Sequence, residues 1–244
     1  MGKAIVITSG KGGTGKTSIT GGIAAALAKM GRTVLCIDMD IGLRNLDISL
    51  GLNDRALMDF SDVAFGRCDL SRAAVQHPLI PGLFLLTAPM SLPVGLTKEH
   101  IRALVDTARS CYDYVIIDSP AGLGAGFQLA ICAADRAIVV ATNDATSLRD
   151  AQRTVGELDH IRHVHLVMNR IQPKLLRRLR TTIDDAMDSA GLPLIGVVPE
   201  DPQVILSGNL GQPLILNARQ GAAQACINMA HRLEGQRVPI MRIR

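Results

Sequence analysis

Tryptophan is absent from the 244 residues, and aromatic side chains make up only 2% of them. A core built from this chain must therefore be aliphatic, and no set of aromatic platforms exists on which nucleic-acid bases could stack. No apolar run approaches the roughly 18 residues of a membrane-spanning helix, and no charged-then-apolar leader opens the chain. These absences predict a soluble, cytoplasmic protein. The five cysteines (Cys36, Cys68, Cys111, Cys132, Cys226) show no CxxC spacing. An odd, scattered set reads as reduced thiols acting as small buried hydrophobes. Internal repeats, low-complexity stretches and Pro- or Ser-rich linkers are lacking too, which points to one domain over residues 1–244, with 237–244 as a short basic tail. The net charge of +4, from 26 basic and 22 acidic residues, permits anionic partners without demanding one.

Hydrophobic residues are plentiful, at 48%. Short β-branched runs alternate with helical periodicity. Strands are expected at Lys3–Thr8, Thr33–Ile37, Leu83–Leu86, Tyr114–Ile117, Ala137–Ala141, Val164–Met168 and Leu194–Val198. Helices are expected at Thr17–Met30 with Gly31 beyond its end, after a Thr97 cap with Ile101, Leu104, Val105 and Ala108 inward, and at Ser147–Ile161, Lys174–Ala190 and Gly221–Leu233. Unbroken Val/Ile/Leu strands separated by helices predict an α/β, doubly wound domain with a mostly parallel sheet.

Between the first strand and first helix lies Gly10-Lys11-Gly12-Gly13-Thr14-Gly15-Lys16-Thr17. It fits G-x-x-x-x-G-K-[ST], in the strand–loop–helix context that confirms the pattern. Glycines let backbone N–H groups converge on phosphates, and the helix beginning near Thr17 and Ser18 adds the positive end of its dipole. Lys16 can place an ammonium on the β- and γ-phosphates, and the Thr17 hydroxyl can ligate Mg²⁺. Acidic groups stand where parallel strands end, the usual ligand crevice of such folds. Asp38 and Asp40 follow Cys36-Ile37, and Asp118 ends Tyr114-Val115-Ile116-Ile117. Asp38 and Asp118 can hold water on Mg²⁺, Asp40 can orient an attacking water, and Gly122 can sense a γ-phosphate through its N–H.

A second lysine near the start of the loop, Lys11, resembles the signature lysine of the ParA/MinD family of deviant Walker A P-loop ATPases. The similarity extends to the run Asp40–Asp47 (DIGLRNLD), Asp118–Gly122 (DSPAG), Ser147-Leu148-Arg149-Asp150, Asn169-Arg170 and Val198-Pro199-Glu200-Asp201, and so over nearly the whole chain. The resemblance implies a P-loop NTPase fold of SIMIBI type that binds ATP or ADP with Mg²⁺. It implies that Asn169 reads the adenine edge, that Arg170 and Pro199 cover its faces, and that Glu200 and Asp201 complete the base pocket. It further implies slow, dimerisation-dependent ATP hydrolysis, with Lys11 reaching the phosphates of a second subunit. On the MinD side of the family this implies division-site selection through a MinC-like partner, with a MinE-like activator using the helix of Asp150. Where some relatives carry a further acid, this chain has Gln152. A MinD-like positioning ATPase for another cargo, such as flagella, and a ParA-like DNA-partition ATPase are the alternatives.

Family members on that side finish in a basic amphipathic helix that enters the inner face of the cell membrane. Here Val238–Arg244, seven residues including Pro239, offers about two turns at most, which counts against peripheral membrane attachment by Arg242 and Arg244. Lys174–Arg180 puts cations beside Leu176, Leu179, Ile183 and Met187, but Asp184, Asp185 and Asp188 follow, and DNA binding is disfavoured. His160, His163 and His165 cluster without a cysteine to complete a ligand set.

Overall fold

The computed structural model describes residues 1–53 and 55–243; Arg244 lies outside them. The described residues form one eight-stranded sheet and twelve helices. In chain order these are β1 (Lys3–Thr8), α1 (Lys16–Lys29), β2 (Val34–Asp38), α2 (Asn45–Leu50), α3 (Phe60–Ala64), α4 (Leu70–Ala73), β3 (Val75–Gln76) and β4 (Leu83–Leu86). There follow α5 (Lys98–Cys111), β5 (Tyr114–Asp118), α6 (Ala125–Ile131), β6 (Arg136–Thr142), α7 (Ala145–Gly156), β7 (His163–Ile171) and α8 (Pro173–Leu179). The chain then runs through α9 (Ile183–Ala190), β8 (Leu194–Pro199), α10 (Pro202–Asn209), α11 (Leu214–Asn217) and α12 (Gly221–Leu233).

The sheet order is β3-β4-β2-β5-β1-β6-β7-β8, parallel except where β3 meets β4. Each parallel strand is buried on both faces, and alternate residues divide between two aliphatic cores. Ile5, Ile7, Tyr114 and Ile116 pack under α1, α2, α11 and α12. Ala4, Val6, Val115 and Ile117 pack under α3 to α7 and α9. β1 sits between β5 and β6, so consecutive crossovers diverge to either side of it. The crevice at the carboxyl ends of β1, β2 and β5 is therefore the topological switch point, where ligands bind in such sheets.

Most expected elements are present, and Thr97 caps α5 as expected, accepting from the His100 N–H. Three expectations need correction. Lys174–Ala190 is two helices, because Arg180 adopts φ 53° and Thr182 caps a new helix at α9. The α7 helix starts at Ala145, capped by Asp144, and ends at Gly156 rather than reaching Ile161. Of the cysteines, only Cys36 and Cys226 are buried, and Cys111 is exposed.

The α1–α12 contact is close enough to depend on a glycine. A Cβ added at Gly22 would lie 2.5 Å from Cys226 Sγ. Gly22→Ala should cost about 1–3 kcal/mol by overpacking, and adding Cys226→Ala should recover most of that loss in urea unfolding. No loss in the single variant would mean that this interface has slack.

Candidate functional site

The loop from Gly10 to Gly15 leaves β1 and turns into α1 through Gly15, which has φ 90°. Two of its glycines are fixed by neighbours. A Cβ at Gly10 would strike the Asp150 carbonyl at 2.4 Å, and one at Gly15 would strike Asn169 Nδ2 at 2.3 Å. Gly12 and Gly13 instead border open space, where a Cβ would fill the cradle. Gly12, Gly13, Gly15, Lys16, Thr17 and Asp40 line a cavity of about 420 Å³.

Behind this cavity the acidic residues converge. Asp38 and Asp118 are register partners on β2 and β5 and are essentially buried. Asp118 accepts hydrogen bonds from Thr17 Oγ1 (2.7 Å) and Thr20 Oγ1 (2.9 Å), so it ties the first turns of α1 to β5. Asp38 accepts from the Asp40 N–H (2.9 Å) and the Leu46 N–H (3.2 Å), which seats the loop leading into α2. Burial, and then the neighbouring Asp118 charge, push the Asp38 carboxyl up to about 7. Burial pushes Asp118 up to about 6 against the hydroxyls of Thr17 and Thr20 and the charge of Lys16. Burial also lowers Lys16, while Asp118 and Asp40 hold it up. Two adjacent buried carboxylates and a hydroxyl fit a hard divalent cation that keeps several waters and shares phosphate oxygens, as Mg²⁺ does, while the Lys16 ammonium suits the phosphates themselves. Asp40, raised by burial and held down by Lys16, stands at the mouth.

A second pocket of about 220 Å³ adjoins the first. Asn169, Arg170, Pro199, Glu200 and Asp201 all line it, with Ser18 between the two. Asn169 donates from Nδ2 to the Thr14 carbonyl at 2.7 Å, which leaves its amide oxygen as a free acceptor. Arg170 grips Glu200 through Nε (2.9 Å) and a second nitrogen (3.3 Å), and reaches the Gly13 carbonyl. Asp201 is already spent. Its two oxygens accept from the Gln203 and Ala222 N–H groups, capping α10 and the start of α12. Val204, Ile205, Leu214 and Cys226 close the apolar floor. Sequence reading missed these; the Asp201-Pro202 pair, an N-cap followed by proline, was the signal for α10.

Lys11 stands apart from this cluster. Its ammonium donates to Thr146 Oγ1 at 3.1 Å and lies 3.6 Å from Asp144 Oδ1, at the start of α7. Burial works against the Asp144 charge, but the Thr142 and Thr146 hydroxyls, the Ser147 N–H and Lys11 hold its carboxyl down to about 2. Residues 5–214 match the CobQ/CobB/MinD/ParA nucleotide-binding domain.

The chain belongs to the MinD/ParA family. A putative septum site-determining protein MinD from Emiliania huxleyi is 44% identical over 243 residues, 98% of this chain and 89% of that relative. Septum site-determining protein MinD from Bacillus subtilis is 39% identical over 246 residues, 98% of this chain and 92% of its own length. Among solved structures, the MinC:MinD cell division protein complex of Aquifex aeolicus superimposes with a TM-score of 0.92 at 39% identity, covering 98% of each chain. MinD of Pyrococcus horikoshii, complexed with Mg-ADP, gives 0.85 at 28% identity, covering 96% of each. The MinD/ParA fold and its doubly wound parallel sheet are thus this chain's own, and its nucleotide-binding domain is the one described above.

The raised Asp38 carboxyl gives a signed expectation. A group that takes its proton more readily when folded stabilises the fold below its unfolded value, and that stability is lost as pH rises through the folded one. Relative to the wild type, Asp38→Asn should therefore be more stable at pH 8 than at pH 4 by roughly 1–3 kcal/mol in urea unfolding, set against a pH-independent cost for the one N–H that the amide nitrogen cannot accept. A difference from the wild type that is independent of pH would contradict the assignment.

Proposed function

We propose that this MinD/ParA-family protein is a Mg²⁺-dependent ATP hydrolase that works as a dimerisation switch in division-site selection. The observation that carries the proposal is the separation of its two loop lysines. Lys16 is buried within the chain's own phosphate cavity, whereas Lys11 is turned out of it onto α7. A monomer's site so arranged supplies one ammonium to the phosphates and keeps the second for another subunit, in the manner of an arginine finger given in trans.

ATP would lie with its phosphates on the Gly10–Thr17 loop and its adenine in the adjoining pocket. The free amide oxygen of Asn169 suits the 6-amino group, while Arg170 and Pro199 cover the faces of the ring and Glu200 braces Arg170. Asp201 would shape this pocket indirectly, through its two helix caps. Thr17, Asp38 and Asp118 would hold Mg²⁺, which supplies charge neutralisation for the phosphates. Asp40, at the mouth, would orient the attacking water. Lys16 would stabilise the transferring phosphoryl group in cis and Lys11 in trans.

The α7 helix connects this site to partners. Gly10 packs on the Asp150 backbone and Lys11 rests on the same helix, so a protein bound to α7 touches the phosphate loop through one layer. A MinC-like partner would recognise the ATP dimer, and a MinE-like activator would act through α7. The protein would work in the cytoplasm and at the inner face of the cell membrane.

Lys11→Ala should leave ADP binding intact and keep the protein monomeric with ATP in sedimentation velocity. Turnover should fall by about a thousandfold. Full turnover, or an ATP-dependent dimer, in that variant would refute the trans role.

A further inference from the structure

No residue of α8 is buried, which is true of no other helix among the described residues. It nevertheless carries leucines at three of seven positions. Leu176 packs on the core, but Leu175 and Leu179 are 42% and 51% exposed. Spaced four apart, these two share one edge of the helix. Lys174, Arg177, Arg178 and the capping Arg180 surround them, all exposed, and none pairs with a carboxylate among the described residues. Asp184, Asp185 and Asp188, which dilute the charge in the sequence, belong to the separate helix α9, where Asp185 is taken up by the Thr182 cap.

The end of the chain adds to this flank. Residues 236–243 are not helical; they lie back on the domain. Arg232 holds them by donating to the carbonyls of Val238 (3.0 Å) and Pro239 (2.5 Å), and it also bonds the Ile195 carbonyl on β8 (2.7 Å). Leu176 shares a groove of about 830 Å³ with Ile240, Met241 and Ile243. The exposed Arg242 and the half-exposed Ile240 border it.

We infer that α8 is a docking element for an anionic lipid surface, with Leu175 and Leu179 entering the headgroup–acyl boundary and Lys174, Arg177, Arg178 and Arg180 contacting lipid phosphates. Charge complementarity alone would suit nucleic acid as well. The paired exposed leucines decide for lipid, because a phosphodiester backbone offers them no apolar counterpart, whereas an interfacial helix joins apolar residues with a basic flank. The inference concerns α8 itself and does not rest on the nucleotide reading. One short helix binds weakly, and two copies in a dimer would bind by avidity.

The absence of tryptophan gives a direct probe. In Leu179→Trp the single indole should shift its emission to the blue with vesicles of equimolar phosphatidylglycerol and phosphatidylcholine, and not with phosphatidylcholine alone. Leu175→Gln/Leu179→Gln, checked for native circular dichroism, should sediment with the mixed vesicles at least about tenfold more weakly than the wild type. Vesicle binding with no emission shift would assign attachment to the tail alone and overturn the inference. So would unchanged binding by the double variant, or salt-sensitive binding to duplex DNA without binding to vesicles.

Discussion

Asp118 holds the site together. It closes the central strand β5 in full burial and takes hydroxyl hydrogen bonds from both Thr17 and Thr20. That grip sets the angle at which α1 leaves the phosphate loop, and hence where Lys16 and the loop N–H groups point. Beside it, Asp38 spends its oxygens on the backbone of the loop that leads into α2. Two carboxylates buried side by side repel one another; the Thr17 and Thr20 hydroxyls and the Lys16 charge offset Asp118, and the Asp40 and Leu46 N–H groups offset Asp38. The sheet thus keeps two acidic groups in low dielectric, a strain that the proposed divalent cation would relieve. On the proposed reading, the same arrangement would make the site responsive to Mg²⁺ and phosphate.

A second tension lies in Lys11. Asp144, with a carboxyl held down to about 2, gives this lysine a partner on its own chain. The contact is half exposed, and such pairs contribute little to stability. It can therefore yield to another anion, as the proposed trans role requires. Because Asp144 also caps α7, freeing Lys11 bears on the first turn of the helix that packs on Gly10. The phosphate loop and α7 are mechanically adjacent for that reason.

The sheet and the phosphate cavity were legible in the sequence because both rest on local pattern. Buried parallel strands write themselves as Val/Ile/Leu runs, and the phosphate loop needs glycines at fixed spacing. Asp38 and Asp118 were legible as strand-terminal acids. Their side-by-side register was not, since pairing β2 with β5 is a long-range event. The break at Arg180 escaped notice because periodicity runs through it, although Thr182 and Asp185 form a capping box that marks a new start. The floor of the second pocket, Val204, Ile205, Leu214 and Cys226, is shared by three successive helices, α10, α11 and α12, so no single segment announces it. The family resemblance puts Asp201 at the pocket, and it does line it, but that its oxygens serve two helix caps is legible only in the structure.

On the proposed reading, the Asp38–Asp118 pair couples nucleotide binding to a divalent cation. That coupling is tested most directly by thermal unfolding of the wild-type protein with ADP, in the presence of Mg²⁺ and then of a chelator. A marked rise in Tm is expected with Mg²⁺ and ADP together, and little with ADP alone. Equal stabilisation in both conditions would contradict it, placing the phosphate affinity in the loop and leaving the carboxylate pair a purely structural role.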